Sequence, residues 1–233
     1  VRHLLGVRPQ AKAVVLDKLT YAGHLPNLEK EEKSGRCEVM VGDIADAGLV
    51  KGLLEKHRPI SIVNFAAESH VDRSIDEPAP FLHTNVTGTF VLLEATRNYL
   101  RSGLAPEKGL FRFVHLSTDE VHGSLELSDP PFRETSTFAP NSPYAASKAA
   151  ADHLCRAYFR TFGVPTVVLR PSNNYGPNQF PEKLIPLAIL RAVAGEKIPV
   201  YGDGKQVRDW MYVEDTARAV EAARRAGGVG EAY

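Results

Sequence analysis

The sequence predicts an α/β protein built on a doubly wound parallel sheet, and three observations lead to that prediction. Short apolar runs alternate with longer segments whose apolar residues recur at helical spacing, a pattern typical of strand–helix–strand units. The runs are apolar at nearly every position, as in strands buried on both faces of a sheet. The length of 233 residues allows one large domain, or one domain and part of another.

Five strands and four helices follow from these patterns. The predicted strands are residues 13–16, 37–41, 60–65, 111–116 and 166–169. The predicted helices are residues 49–57, 81–100, 144–162 and 183–194. Pro, Asn, Tyr and Gly cluster after about residue 170, so we divide the chain into an α/β domain, 1–170, and a more irregular region, 171–233.

One expected strand is missing from this series. A Rossmann-type sheet that binds a dinucleotide opens with a strand, a glycine-rich turn and a helix. Here residues 1–6 resemble the end of a helix, and the next predicted strand leads to Asp17, where an acidic residue would bind a ribose. We therefore expect a Rossmann-type sheet that lacks its first strand and its glycine-rich turn, in a chain truncated at both ends. A different fold that never had this strand is the alternative.

Composition excludes several classes of protein. The chain has 28 Lys and Arg against 28 Asp and Glu, so it lacks the positive charge typical of nucleic-acid binders. No apolar run is long enough to predict a membrane span. Two cysteines cannot form a disulfide framework, and with no signal peptide recognised we expect a reducing cytoplasm. We identify no metal-ligating residues.

Tyr144 and Lys148 form the first candidate catalytic pair. Four residues apart on a predicted helix, they share one face. A free tyrosine has a pKa near ~10 and is a poor base at neutral pH. A neighbouring ammonium, together with the positive nicotinamide ring of an oxidised cofactor, would lower that pKa. The alternative is an ordinary pair of side chains, four residues apart, on a solvent-exposed face of a helix.

A second candidate cluster follows the predicted strand 111–116. The sequence there continues with Thr118, Asp119 and Glu120, at the strand end where α/β sheets bind ligands. Two adjacent carboxyl groups can act as a general acid and a general base if their environments separate their pKa values. A turn capped by Asp119, with a solvated Glu120, is the alternative.

These motifs together resemble the dTDP-glucose 4,6-dehydratases, members of the extended short-chain dehydrogenase/reductase superfamily. The resemblance rests on DKLTYAG (17–23), GDI (42–44), AAESHVDRS (66–74), STDEV (117–121), YAASK (144–148), RPSNNYGP (170–177), PEKLIP (181–186), YGDG (201–204) and RDW (208–210). The Thr118-Asp119-Glu120 triplet distinguishes the dehydratases from related epimerases and decarboxylases. Those enzymes share the Tyr/Lys pair but usually lack the adjacent acids. The family usually has a tyrosine where this chain has His122, which we interpret as a packing change.

The resemblance implies NAD as cofactor and a nucleotide-activated glucose, dTDP-glucose, as substrate. Tyr144 would take the C4 hydroxyl proton as hydride leaves C4, with Lys148 lowering its pKa and Thr118 binding near the C4 oxygen. Glu120 would remove the C5 proton while Asp119 protonates the departing C6 hydroxyl, and hydride would then return to C6. The resemblance thus implies an NAD-dependent hydro-lyase that forms a 4-keto-6-deoxy sugar.

The resemblance also implies two sets of binding residues. The implied cofactor-binding residues are Asp17, Lys18, Leu19, Thr20, Asp43, Ile44, Ala66, Ala67, Ser69, Thr84, Tyr144, Lys148 and Asn174. The implied substrate-binding residues are Ser69, Thr118, Asn173, Glu182, Lys183, Leu184, Pro199, Val200, Tyr201 and Arg208. The 1–170 domain would then bind NAD and residues 171–233 would form part of a sugar-nucleotide-binding region.

Three further expectations complete the prediction. The family commonly forms homodimers through two long helices, here 81–100 and 144–162, although their apolar stripes suit sheet-facing helices equally well. The 233-residue chain is expected to bind NAD poorly, because the sequence contains no glycine-rich turn for the pyrophosphate. The competing functions are a UDP-sugar epimerase or decarboxylase, and a non-catalytic, truncated module that binds a sugar nucleotide or a partner protein.

Overall fold

The strands of the computed structural model, which describes residues 1–106, 109, 111–200 and 202–233, confirm the parallel α/β prediction. One pair consists of β1 (Ala13–Asp17) and β2 (Cys37–Val41). The other group has the order β3 (Ser61–Asn64), β4 (Arg112–Leu116) and β5 (Thr166–Leu169). All five predicted strands are present, with bounds that differ by at most one residue at each end.

The two groups are separate sheets in the described part of the chain. β1 pairs in parallel with β2, and β3 pairs in parallel with β4. These groups correspond to the two sides of the doubly wound strand order about its central strand. A third, two-stranded parallel sheet joins β6 (Asn173–Tyr175) and β7 (Trp210–Tyr212) in the region predicted to be irregular.

The β3–β5 sheet packs against α6 and α7 on one face and against α9 on the other. The helices of the described residues are α1 (Arg2–Val7), α2 (Glu29–Lys33), α3 (Ala47–His57), α4 (Val71–Asp76), α5 (Ala79–Phe81), α6 (Thr89–Arg101), α7 (Pro143–Phe162), α8 (Leu184–Val193) and α9 (Val213–Ala226). α5 continues through a π-helical segment, Leu82–Gly88, into α6. The four predicted helices are present as α3, α5–α6, α7 and α8, whereas α9 corrects the expectation that residues 171–233 are largely irregular.

The core has one cluster on each face of the β3–β5 sheet. On one face, Leu93 of α6 and Cys155 of α7 pack with Phe113 of β4, and none of the three is exposed to solvent. On the other face, Val220 of α9 packs against Val114 and its neighbours. In the described ranges, no helix is long and apolar enough to cross a membrane.

Local capping fixes the start of α7, the helix that carries Tyr144. The Ser142 hydroxyl accepts a hydrogen bond of 3.0 Å from the Ala145 amide, and Pro143 occupies the first turn, where its missing N–H costs nothing. Gly163 ends the helix at φ 71°, a conformation that glycine adopts readily. The first two turns of α7 are therefore held in place next to the end of β4.

Candidate active site

The acidic pair lies in a short helical turn after β4. The Thr118 hydroxyl caps this turn, accepting a hydrogen bond of 3.3 Å from the Glu120 amide and donating one of 3.2 Å to Asp119 Oδ1. Gly123 closes the turn at φ 94°, and a Cβ at this position would lie 2.5 Å from the Ala139 carbonyl oxygen. Only glycine fits that backbone without strain, so the turn is specified at both ends.

Burial raises the pKa of both Asp119 and Glu120. The charge of Asp119 raises the pKa of Glu120 further, while the cations of Arg208 and Lys183 lower it. Asp119 instead has the carboxylate of Asp209 near it, which acts in the raising direction. The two carboxyl groups are therefore adjacent in sequence but differ in surroundings: cations favour an ionised Glu120, and a second anion disfavours an ionised Asp119.

Tyr144 faces this acidic pair. Its side chain is buried, with its ring edge-on to Phe81 at a centroid distance of 6.4 Å. Burial raises its pKa above the usual value, the charges of Glu120 and Asp119 raise it further, and the neighbouring Thr118 hydroxyl acts in the lowering direction. The phenol thus lies in the same site as the triplet 118–120.

Lys148 lies one turn further along α7, fully buried beneath the same site. Its ammonium donates a hydrogen bond of 2.5 Å to the Leu116 carbonyl oxygen at the end of β4. Burial lowers the pKa of Lys148 to about 8, against the raising effect of Asp152 and Cys155. The lowered tyrosine pKa expected from sequence depends also on the charge of an oxidised cofactor, so it stays a prediction.

The end of β1 forms a candidate binding site for the adenosine half of a dinucleotide. The Asp17 carboxylate is exposed, and one of its oxygens accepts a hydrogen bond of 2.7 Å from the Leu19 amide. Beside it is a cavity of about 190 Å³ with an apolar lining that includes Val15, Leu28 and Val39. A carboxylate that accepts from a ribose hydroxyl, next to an apolar slot for a base, fits the cofactor predicted from sequence.

The second acidic residue predicted at the adenine edge is held by three donors. Burial alone would raise the pKa of Asp43, but hydrogen bonds from Lys18, the Ala45 amide and His83 lower it. The Lys18–Asp43 contact is 2.7 Å. Ile44 next to it is buried against Gly88, where a Cβ would lie 2.5 Å from its side chain. These contacts fix the loop after β2 against the π-helical segment.

The other predicted cofactor residues differ in how free they are. Ala66, Ala67 and Ser69 lie in the loop after β3, Thr20 is exposed after β1, and Thr84 is half-buried in the π-helical segment. Asn174 is already bonded within the chain: its amide donates 2.9 Å to the Ser172 carbonyl oxygen, and its oxygen accepts from Thr216. Asn174 could contact a cofactor only through its second amide hydrogen or the remaining lone pair of its side-chain oxygen.

The predicted substrate residues approach the site from the irregular region. Lys183 donates a hydrogen bond of 3.0 Å to the Ser69 carbonyl oxygen. The charges of Lys183 and Arg208 both act to lower the pKa of Glu120. Glu182 accepts a hydrogen bond of 3.0 Å from the Tyr21 hydroxyl, with Arg73 3.8 Å away. Its carboxylate therefore joins this region to the loop after β1.

The remaining substrate predictions are spread along the same region. Asn173 begins β6 and is half-buried, while Leu184, Pro199 and Val200 are exposed. Tyr201 lies outside the described residues. His122 is buried with ring centroids of Phe132 and Phe138 each 5.3 Å away, in agreement with its interpretation as a packing change.

Sequence reasoning missed two buried polar groups next to this site. Asn85 accepts a hydrogen bond of 2.9 Å from the Glu68 amide and donates 2.8 Å to the Ser147 hydroxyl. Asp152 is buried and bonded to Arg170 at 2.8 Å. Both lie at otherwise apolar positions of predicted helices, and that break in pattern was the available signal.

The chain matches a known family along almost its whole length. The family model described as GDP-mannose 4,6 dehydratase matches residues 1–231. The dTDP-glucose 4,6-dehydratase of Xanthomonas campestris pv. campestris (strain B100) is 53% identical over 95% of this chain and 63% of its own length. The dTDP-glucose 4,6-dehydratase 1 of Escherichia coli (strain K12) is 50% identical over 100% of this chain and 66% of its own length. The chain thus spans about two thirds or less of these relatives.

Solved structures of a dehydratase and of an epimerase both resemble this chain, the dehydratase more strongly. The dTDP-glucose 4,6-dehydratase DesIV of Streptomyces venezuelae, solved with NAD and TYD bound, superposes with a TM-score of 0.91 and 44% identity, covering 100% of this chain and 69% of that one. A UDP-glucuronic acid 4-epimerase of Bacillus cereus, in complex with UDP-glucuronic acid and NAD, gives 0.85 and 26% identity over 98% of this chain and 70% of that one. The chain is more similar to the dehydratase than to the epimerase.

Proposed function

The chain belongs to the GDP-mannose 4,6 dehydratase family, and from that premise we propose that the protein carrying it removes water from dTDP-glucose. The product is the 4-keto-6-deoxy sugar, and the cofactor is NAD. The observation that carries the proposal is the adjacent acidic pair, Asp119 and Glu120, half-buried beside the buried Tyr144 phenol. The relatives that share this chain's sequence most extensively in the comparison are named as dTDP-glucose 4,6-dehydratases.

Tyr144 acts first, as the base at the C4 hydroxyl. The C5 hydrogen of a hexose is not acidic until C4 is a ketone, so C4 must be oxidised before water can leave. NAD, when bound, supplies the hydride acceptor for this oxidation and the hydride for the final reduction at C6. Thr118 is placed to hydrogen-bond the oxygen at C4, because its hydroxyl already interacts with Tyr144.

The acidic pair then divides the work of elimination. Glu120, whose ionised form is favoured by Arg208 and Lys183, removes the C5 proton and returns a proton to C5 when hydride adds to C6. Asp119, whose protonated form is favoured by burial and by Asp209, donates a proton to the leaving C6 hydroxyl. Such a pair of roles needs carboxyl groups in unlike surroundings, and the cations near Glu120 and the anion near Asp119 provide that difference.

The two cations near Glu120 suit the diphosphate of a sugar nucleotide. Arg208 is exposed, and an arginine fork can bind two phosphate oxygens. Lys183 is anchored to the loop that carries Ser69. We assign Asn173, Glu182, Leu184, Pro199, Val200 and Tyr201 to the nucleotide and sugar on the resemblance alone.

Assembly and compartment are also proposals. Phe90 and Phe162 are 44% and 46% exposed on neighbouring long helices, with Tyr158 between their rings at 6.4 and 5.1 Å. This aromatic surface supports a homodimer formed through α6 and α7. Cys37 and Cys155 are both free and buried, which is compatible with the reducing cytoplasm expected from the sequence.

The test uses the protein that carries this chain, expressed from its full coding sequence and supplied with dTDP-glucose. We expect the alkaline absorbance of a 4-keto-6-deoxy sugar. The Glu120→Gln variant should still transfer hydride from C4 of the sugar to NAD. It should neither exchange the C5 hydrogen with D₂O nor release water. Asp119→Asn should still exchange that hydrogen but not release water, because only the proton donor for the C6 hydroxyl is lost.

The matched control is Glu55→Gln, an exposed carboxylate on α3, which should convert dTDP-glucose at the wild-type rate. Conversion of another sugar nucleotide but not dTDP-glucose would overturn the substrate assignment. A C4 epimer formed equally well by wild type, Asp119→Asn and Glu120→Gln would show an epimerase instead.

A further inference from the structure

We propose that Asp152 is a positioning residue: its buried carboxylate, held by Arg170, keeps the neighbouring Lys148 ammonium charged one helical turn from Tyr144. The inference deepens the proposed function and rests on it, since it assigns Lys148 the part of a cation in C4 oxidation. Nothing in that mechanism otherwise uses Asp152.

The placement of Asp152 follows from the register of α7. Tyr144, Lys148 and Asp152 are spaced four residues apart, so they form one stripe along the helix, with successive Cβ atoms about 5–6 Å apart. Lys148 and Asp152 are each only 3% exposed. The acid therefore lies directly behind the lysine, on the side away from the phenol.

Asp152 is fixed from a second element. Arg170, directly after β5, donates from Nε to Asp152 Oδ2 at 2.8 Å. The other carboxylate oxygen has no hydrogen-bond partner among the described residues, although it is buried. Burial raises the pKa of Asp152, whereas Arg170, the Ser117 hydroxyl and the charge of Lys148 act to lower it. A carboxylate held so incompletely is a poor device for stability, but its charge and that of Lys148 favour each other.

The titratable groups around Lys148 and Asp152 come from three elements. Asp152 and Cys155 act on Lys148 from α7, Lys148 acts on His115 of β4, and Arg170, which follows β5, pairs with Asp152. Burial and the charge of Lys148 hold the pKa of His115 well below its usual range, so His115 is neutral, 3.9 Å from Asp152. Burial of the Cys155 thiol raises its pKa, so it carries no charge at neutral pH.

Asp152 is thus the anion that offsets the cost of burying the Lys148 charge. A fully buried ammonium without a nearby anion loses its proton in the neutral pH range. A neutral lysine would no longer favour the phenolate of Tyr144. The distance from Asp152 to the phenol keeps its own charge from opposing that phenolate as strongly as Lys148 favours it.

The experiment follows the Lys148 Nζ resonance by NMR in the 233-residue chain labelled with [¹⁵N]lysine, assigned by its loss in Lys148→Met. In wild type we expect a titration midpoint near 8, in line with the lowered pKa. Asp152→Asn should lower that midpoint by about one pH unit or more. Asp152→Glu, which retains the charge, should restore most of the shift.

The matched control is Thr166→Val on β5, where the threonine is equally buried and bonded at 3.1 Å to the Cys155 carbonyl oxygen of the same helix. It removes a buried polar contact without changing charge, so the midpoint should stay at its wild-type value. If Asp152→Asn does not fold, the double variant Asp152→Asn/Arg170→Met is compared with Arg170→Met alone. The two differ only by the carboxylate, so the double variant should have the lower midpoint.

An unchanged midpoint in Asp152→Asn, or equal midpoints in the double variant and Arg170→Met, would overturn the inference, as would an equal shift in Thr166→Val. The titration needs no substrate, so it separates two failures. A lowered midpoint in a protein that converts no nucleotide sugar would refute the proposed function and leave the role of Asp152 intact. In an active enzyme, Asp152→Asn should also move the alkaline loss of C4 oxidation to lower pH.

Discussion

Asn85 holds together three parts of the active-site frame, and its replacement by alanine should destabilise the chain. It lies in the π-helical segment and is 1% exposed. Its side chain bonds both backbone groups of Glu68, at 2.9 and 3.0 Å, and the Ser147 hydroxyl at 2.8 Å. The loop after β3, the helix α5–α6 and the catalytic helix α7 meet at this one amide.

The size of the effect follows from these contacts. Each hydrogen bond contributes about 1 kcal/mol net, so three give roughly 3 kcal/mol. Glu68 is only half-buried, and water can replace part of what it loses. We therefore expect Asn85→Ala to cost about 2–3 kcal/mol of unfolding free energy. For a chain of this length that lowers the melting temperature by about 5–10 °C.

Thermal unfolding of the 233-residue chain, followed by circular dichroism, measures this difference. Asn98→Ala is the matched control, because Asn98 is exposed on the same helix and gains the same helix propensity from alanine. It should change stability by less than about 0.5 kcal/mol. If the two variants melt together, the Asn85 contacts do not hold the frame and the argument fails.

Two further predictions concern α9 and the cofactor. Glu221 on α9 bonds Arg224 and Arg8, and these contacts lower its pKa to about 2. Glu221→Gln should therefore cost about 1 kcal/mol at neutral pH after solvent screening. That cost should shrink as pH falls below about 4, where wild type loses the same contribution, and a difference constant down to pH 3 in urea unfolding would contradict it. Isothermal titration of NAD into the 233-residue chain should show weak binding, because its sequence contains no glycine-rich turn to hold the pyrophosphate. Tight binding would refute this.

The strands could be predicted from sequence because burial on both faces leaves a local signature. Residues 166–169, for example, are buried at every position of β5, and their unbroken apolar run predicts a central strand. α9 was missed although its segment is amphipathic, with charged residues on one face. Its buried face consists of Thr216, Val220 and Ala223, side chains that make a weaker apolar stripe than the leucines and aromatic residues of the predicted helices.

The candidate site divides in the same way. The Tyr144/Lys148 spacing and the position of Asp119 and Glu120 after a strand are local, so both could be predicted. The Asn85–Ser147 contact joins residues 62 positions apart, and no local pattern predicts such a pairing. The π-helical turn that presents Asn85 inserts an extra residue into the helix, so helical periodicity alone misplaces the faces of the segment around it.

The energetics of the buried charges favour a functional origin for the arrangement. Burial raises the pKa of Asp119 and Glu120 and lowers that of Lys148. A carboxyl whose pKa is higher in the folded state reduces stability at neutral pH, because the unfolded chain ionises it more easily. A lysine whose pKa is lower in the folded state reduces stability for the corresponding reason. Three neighbouring groups that each oppose folding at pH 7 are not explained by the needs of the fold. The proton transfers of the proposed reaction, which use groups whose pKa values are shifted by burial, account for why they lie together.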